Sequence, residues 1–138
     1  HTYQNIQREN CFGINFLPIS RYDQLVDTIH QNEWEDDEFE TGGFTICDGK
    51  TIHAPMIQEA FLGMECTLKE SRDLSGAGIT AMIIGQVHHV SVEKEYAQGY
   101  KERYGKDGFM MLVPAPQDLV TGDPNPSAIA TVKIEKYD

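Results

Sequence analysis

The stretch from Ile79 to Val92 constrains this chain most, because as an extended strand it carries apolar residues on both faces. Met82, Ile84, Val90 and Val92 fall on one face with Gln86 and His88, while Ile83 and Val87 fall on the other with Gly85, His89 and Ser91. A strand apolar on both sides is expected to lie centrally in a sheet. Gly85 within it predicts a bulge or the close approach of another group. Ser75-Gly76-Ala77-Gly78 turns the chain just before this strand, and Ala60 to Leu68 reads as the strand before the turn. The three segments predict one long β-hairpin.

The remaining elements follow from pattern and punctuation. Cys11 to Leu17 reads as a buried strand stopped by Pro18. Ser20 and Asp23 form a weak capping pattern, and Tyr22, Leu25, Val26 and Ile29 make one apolar stripe, so a helix is expected over residues 20–31. The acidic run Glu33 to Glu40 holds Trp34 and Phe39, and predicts a short helix or loop that turns Phe39 inward. Phe44 to Cys47 and Thr51 to His53 flank Asp48-Gly49-Lys50, which reads as a tight hairpin. Tyr96, Tyr100 and Tyr104 recur at helical spacing between Glu93 and Tyr104, a surface helix interrupted by Gly99. Phe109 to Val113 and Ala128 to Ile134 read as strands, joined by a loop from Pro114 to Pro126. With six or so strands, one clear helix and no βαβ alternation, an antiparallel barrel or sandwich with peripheral helices is expected. No repeat or linker divides it, so residues 1–138 read as a single domain.

Composition narrows the function classes. A chain of 138 residues with 40% apolar and 24% charged residues can bury a core without metals or disulfides. The longest run free of charge, Leu74 to Val92, contains Ser75, Thr80, Gln86, His88 and His89, too polar for a membrane span, so a soluble protein is expected. A net charge of −11 with scattered Lys and Arg argues against nucleic acid. Cys11, Cys47 and Cys66 lack metal-ligand spacing and read as buried thiols of a reducing cytoplasm. The first residue is not Met and already reads as the middle of an element, so earlier chain is expected before His1.

Local motifs add little chemistry. His88 and His89 point to opposite faces of a regular strand and cannot share one metal ion. No GxSxG, HExxH, GxGxxG or Walker A pattern is present. Asp36, Asp37, Glu38 and Glu40 read as a solvated run, not a tuned acid/base pair.

The order of short blocks says more. His1-Thr2-Tyr3-Gln4-Asn5-Ile6, Phe12-Gly13-Ile14-Asn15, Asp37-Glu38-Phe39 with Gly42-Gly43-Phe44-Thr45, Ala54-Pro55-Met56-Ile57-Gln58-Glu59-Ala60 with Glu65-Cys66, and Ile83-Ile84-Gly85-Gln86-Val87 follow one another along the chain. In this order they resemble the flavin reductase family, over residues 1 to about 92. Glu38 stands where the family usually has Lys, which speaks against a cation contact there, and the family's opening strands have no counterpart before His1.

The resemblance implies a mostly β fold, an antiparallel Greek-key split barrel with peripheral helices, here without its N-terminal strands. It implies non-covalent FMN at the interface of a homodimer, and NAD(P)H as the co-substrate whose hydride passes to the flavin. Electrons would go on to an oxygenase, to free flavin or to a metal complex. It also implies cofactor-binding roles for His1, Thr2, Asn5, Asp37 and Phe39. His1 and Thr2 would meet the phosphate, or merely begin a helix; Phe39 would wall the flavin ring, or pack in the core. Asn5 and Asp37 would touch the cofactor, or cap and turn the backbone. Asn15 is assigned to structure, bonded to neighbouring backbone. No catalytic residue is expected, since the cofactor carries the chemistry. Two other functions stay open: an FMN-binding electron carrier without nicotinamide activity, and a cofactor-free vestigial split barrel, which Glu38 and the acidity favour. Pyridoxal-phosphate chemistry or haem binding is a weaker third.

Overall fold

The computed structural model describes residues 2–30, 37–78, 80–98, 109–113, 120–123 and 128–132. Contacts within the chain fall into two compact units, His1–Leu17 with Arg21–Glu93, and Pro18–Ser20 with Lys94–Asp138.

The first unit opens with helix α1, Thr2–Glu9, which turns Ile6 inward. Asn10 ends it at φ 56° and donates its N–H to the Ile6 carbonyl at 2.9 Å. Asn is one of the few residues besides glycine that takes this left-handed conformation readily. Strand β1, Cys11–Phe16, follows at once. Helix α2, Tyr22–His30, starts later than its sequence suggests, because Ser20 belongs to a preceding 3₁₀ turn, Ile19–Arg21. Tyr22, Leu25 and Val26 are half-buried, as the stripe requires. Gln24 ties α2 to the short helix α3, Glu38–Gly42, by donating to the Gly42 carbonyl at 2.9 Å.

Strands β4, Leu62–Asp73, and β5, Ala81–Val92, form the expected long hairpin. Its turn is organised by one carboxylate. Asp73 Oδ1 accepts from the Ser75 N–H at 2.9 Å, the Ser75 hydroxyl at 2.8 Å and the Gly76 N–H at 3.1 Å, while Oδ2 accepts from the Gly78 N–H at 2.9 Å. Gly76 and Gly78 both stand at φ 70°, a left-handed conformation that glycine adopts at least cost. The Gly78 N–H bond and then the Ser75 hydroxyl hold the Asp73 pKa below its ordinary value.

β4 is central, in a sheet of order β1-β4-β5 with antiparallel pairing throughout. The pairing slips twice: His88 is the extra residue on β5 opposite Glu65/Cys66, and Lys69 the extra residue on β4 opposite Gly85/Ile84. Gly85 answers to close approach, since a Cβ there would lie 2.5 Å from Phe12 Cζ and 3.1 Å from Cys66 Cβ. The central position expected for β5 is corrected. Among the described residues it pairs with β4 alone, and Met82, Ile84, Val87, Val90 and Val92 are 39% to 49% exposed. An apolar face records that a strand wants cover, but not whether a neighbouring strand or another surface supplies it.

The second correction concerns residues 44–53. Strand β2, Ile46–Asp48, pairs with β3, Pro55–Ile57, in the register Ile46 to Ile57, Cys47 to Met56 and Asp48 to Pro55. Asp48 is therefore a strand residue, and Thr51 to His53 belong to a loop over residues 49–54. The buried apolar residues among those described in this unit are Ile6, Leu17, Phe44, Ile52, Met56, Phe61 and Cys66. All three cysteines are free, but only Cys66 is buried; Cys11 and Cys47 are half-buried, contrary to expectation, since each stands at the margin of its sheet.

The second unit contains helix α4, Lys94–Ala97, and the antiparallel pair β6, Phe109–Val113, and β7, Ala128–Val132. Trp34, Tyr100, Tyr104, Lys133 and Ile134 lie outside the described residues. Among the described residues no helix is long and apolar enough to cross a membrane.

Candidate functional site

A cleft of about 640 Å³ opens within the first unit, and four segments line it. Helix α1 contributes Thr2, Asn5, Ile6 and Glu9, which share one face at helical spacing, with Arg8 beside them. Strand β1 contributes Cys11, Phe12, Gly13 and Asn15. Helix α3 contributes Glu38 and Phe39, and the loop before β3 contributes His53 and Ala54, with Pro55 at the start of β3.

Each wall has a local cause. Asp37 caps α3: its Oδ1 accepts the Phe39 N–H at 2.9 Å. Gly43, at φ 63°, closes the helix by donating to the Glu40 carbonyl at 3.1 Å, and Phe44 N–H reaches the Phe39 carbonyl at 2.9 Å. Phe39 is thus set, half-buried, against the cleft. Asn15 Oδ1 accepts the Ile57 N–H at 3.1 Å and ties β3 to β1, the structural role expected of it. Gly13 is required by packing, because a Cβ there would overlap the Met56 sulfur and come within 3.3 Å of the Pro55 carbonyl oxygen.

The loop over residues 49–54 is held from outside the cleft. Glu65, 3% exposed on β4, accepts the Lys50 N–H at 2.9 Å on Oε1, and on Oε2 the Thr51 N–H at 2.6 Å and the Thr51 hydroxyl at 2.7 Å. Burial pushes the Glu65 pKa up, but the Lys50 N–H, the two Thr51 donors and nearby His89 outweigh it and bring it from 4.5 to about 2. Just outside the β2–β3 pair a second carboxylate, Glu59, accepts the Thr45 N–H on both oxygens at 3.1 Å. Hydrogen bonding from Thr45 exceeds the opposing burial penalty and lowers the Glu59 pKa.

The structure thus brings Thr2, Asn5 and Phe39 together in one cleft. Asp37 does not line it and serves as a cap; His1 lies outside the described residues. The charged residues of the cleft are Arg8 against Glu9 and Glu38, and Arg8 Nε pairs with Glu9 Oε1 at 2.6 Å, both side chains more than half exposed. Arg8 and His53 were not among the residues expected to meet a flavin. Arg8 was legible as the residue one turn beyond Asn5, whereas His53 was hidden by reading residues 51–53 as a strand. Among the described residues no cluster of His, Cys, Asp and Glu could hold a metal ion.

The cleft fits a phosphorylated planar cofactor. Its volume falls within the roughly 300–1,000 Å³ typical of small-molecule sites. Hydroxyl, amide and guanidinium donors come from Thr2, Asn5 and Arg8, and flat or apolar surface comes from Phe12, Phe39, Ala54 and Pro55.

The family model described as Flavin reductase like domain matches residues 1–107, further than the residue-by-residue resemblance to Val92. Several solved structures share the fold. A proposed flavin reductase with a split barrel domain from Shewanella frigidimarina aligns with TM-score 0.67 and 24% identity, over 100% of this chain and 65% of that one. A flavoredoxin from Methanosarcina acetivorans aligns with TM-score 0.65 and 19% identity, over 100% of this chain and 66% of that one. An FMN-binding protein from Thermus thermophilus aligns with TM-score 0.59 and 19% identity, over 78% of this chain and 55% of that one. The chain spans about 65% of the length of the first of these structures. No curated protein sequence matches it. The sheets described above, with no closed barrel among the described residues, are those of a mostly antiparallel split-barrel fold.

Proposed function

This chain belongs to the flavin reductase-like domain family, and from that premise we propose that it binds FMN non-covalently in the α1–β1–α3 cleft and oxidises NAD(P)H. The observation that carries the reading is the convergence of Thr2, Asn5 and Arg8 from one helix with Phe12 and Phe39 from two other elements. When bound, FMN would supply the redox chemistry of hydride and electron transfer. The chain's own residues bind and orient. Thr2 offers a hydroxyl and Arg8 a guanidinium to the phosphate, with His1 as a further contact, and Asn5 offers an amide. Phe39, fixed by the Asp37 cap, and Phe12 wall the ring and exclude water. The acceptor is free flavin, an oxygenase or a metal complex.

The active form is proposed to be a homodimer, supported by the exposed apolar face of β5. Residues 1–138 are proposed to be one domain; a family match that runs past Glu93 to residue 107 supports this for the segment just after β5. The three free cysteines support a reducing, cytoplasmic setting.

One observation favours a second reading. Glu9 and Glu38 line the cleft and disfavour a phosphate dianion, as in a split barrel that has lost its cofactor. Mixing the chain with FMN, removing free flavin by gel filtration and recording the absorbance spectrum decides between them. Flavin bands in the protein fraction support the reductase. A colourless protein supports the vestigial barrel. Oxidation of NADH or NADPH with free FMN then separates a reductase from an electron carrier. Phe39→Ala is expected to weaken FMN binding about tenfold, since removing an aromatic wall forfeits a stacking contact and its buried area. A fluorescence titration that gives the wild-type Kd would remove Phe39 from the site.

A further inference from the structure

We infer that Glu65 is a positioning residue for the cleft: its carboxylate holds the 49–54 loop from behind and so fixes His53, Ala54 and Pro55 as one wall of the site. The inference rests on the flavin-binding reading above.

Glu65 is the one charged side chain buried among the described residues. It stands on the central strand, directly opposite Gly13 on β1 and His89 on β5. Gly13 itself lines the cleft, so the carboxylate rises from the sheet next to the cleft floor without belonging to its lining. From there it captures two consecutive backbone N–H groups and one hydroxyl, at Lys50 and Thr51. The first cleft residue of the loop, His53, follows only two positions later.

The loop has few other anchors. It lies outside the β2–β3 ladder, which ends at Asp48 and Pro55. Ile52 is buried, and Gly49 packs against the Ile52 carbonyl, where a Cβ would lie 2.8 Å from that oxygen. The carboxylate and Ile52 therefore pin the chain from either side just before it enters the cleft. A buried anion earns its place when its lone pairs are filled, and charge-assisted bonds of this kind are roughly twice as strong as neutral ones. An amide could not substitute. Three donors converge on two oxygens, and Gln would turn an NH₂ group toward an N–H or hydroxyl donor. His89 completes the arrangement: it faces Glu65 across the β4–β5 pair, and its Nε2 is buried with no partner among the described residues.

The test compares the wild-type chain with Glu65→Gln, Thr51→Val, His53→Ala and the Glu65→Gln/His53→Ala double variant. The measurements are FMN affinity, the visible spectrum of the bound flavin, and amide exchange at Lys50 and Thr51. Glu65→Gln is expected to speed exchange at both amides, shift the flavin bands and weaken FMN binding about tenfold or more, the size expected for lost charge-assisted bonds. Thr51→Val, which removes only the hydroxyl bond, is expected to weaken binding a few-fold. Because Glu65 acts through the wall that His53 helps form, its effect is expected to shrink in the His53→Ala background. A folded Glu65→Gln chain with wild-type FMN affinity and spectrum overturns the inference, as do strictly additive effects with His53→Ala. If Glu65→Gln does not fold, wild-type affinity in Thr51→Val overturns it instead. A wild-type chain that takes up no FMN overturns the cofactor reading itself, and shows this before any variant is compared.

Discussion

Gly49→Val is expected to destabilise the fold by about 3 kcal/mol and, on the proposed flavin-binding reading, to abolish flavin retention. Its cause is backbone, not side chain. A Cβ at Gly49 would lie 2.8 Å from the Ile52 carbonyl oxygen, 2.9 Å from Ile52 Cγ1 and 3.3 Å from the Ala54 carbonyl oxygen. A flexible side chain could swing away, but two carbonyls of the same loop can move only if the loop does. Moving it breaks the bonds from Lys50 and Thr51 to Glu65 and withdraws buried Ile52 from the core. It also displaces His53 and Ala54 from the cleft. Urea unfolding followed by circular dichroism reads the first effect, and flavin retained through gel filtration reads the second. An unchanged midpoint would show that the loop tolerates another path.

The second large effect is the response to acid. The Glu65 pKa is about 2 in the folded chain against an ordinary 4.5, so between those values the unfolded chain binds more protons than the folded one. Stability from this residue is therefore complete above pH 4.5 and is lost as pH falls toward 2. The shift corresponds to on the order of 3 kcal/mol. Glu65→Gln has no such titration, so its stability is expected to fall less steeply over the same window. Some slope remains, because Glu59 and Asp73 also have lowered values. Unfolding free energies measured across the acid range for the two proteins test this, and parallel curves would mean that Glu65 is not the group whose protonation matters.

What the sequence disclosed and what it hid divide along physical lines. The β4–β5 hairpin was legible because strand alternation and the Ser75-Gly76-Ala77-Gly78 turn are local signals, and the turn's organiser, Asp73, lies within a few residues of everything it binds. The α2 stripe and the strand ended by Pro18 were legible for the same reason. Asp48-Gly49 misled because it too is a local signal, and the force that overrode it is distant: Glu65 reaches across the fold to Lys50 and Thr51. Nothing in residues 44–53 announces that partner. The cleft was half legible. Thr2, Asn5 and Phe39 were named from family resemblance and share its lining, whereas His53 depended on the path of the misread loop. Asp37 was named too, with capping as the alternative, and its bond to the Phe39 N–H is that cap. The exposure of β5 was hidden because alternation reports a face and not its cover.

That uncovered strand has a colloidal consequence. Among the described residues β5 is a sheet edge, and from Ala81 to Val92 it has no Lys, Arg, Asp or Glu, the charges with which sheet edges commonly discourage the addition of a foreign strand. What opposes association beyond the proposed homodimer is then the charge of the whole chain, −11, a repulsion of long reach. Salt shortens that reach to about 8 Å at physiological ionic strength. Association beyond the proposed dimer is accordingly expected to rise as salt is added, with light scattering as the measure.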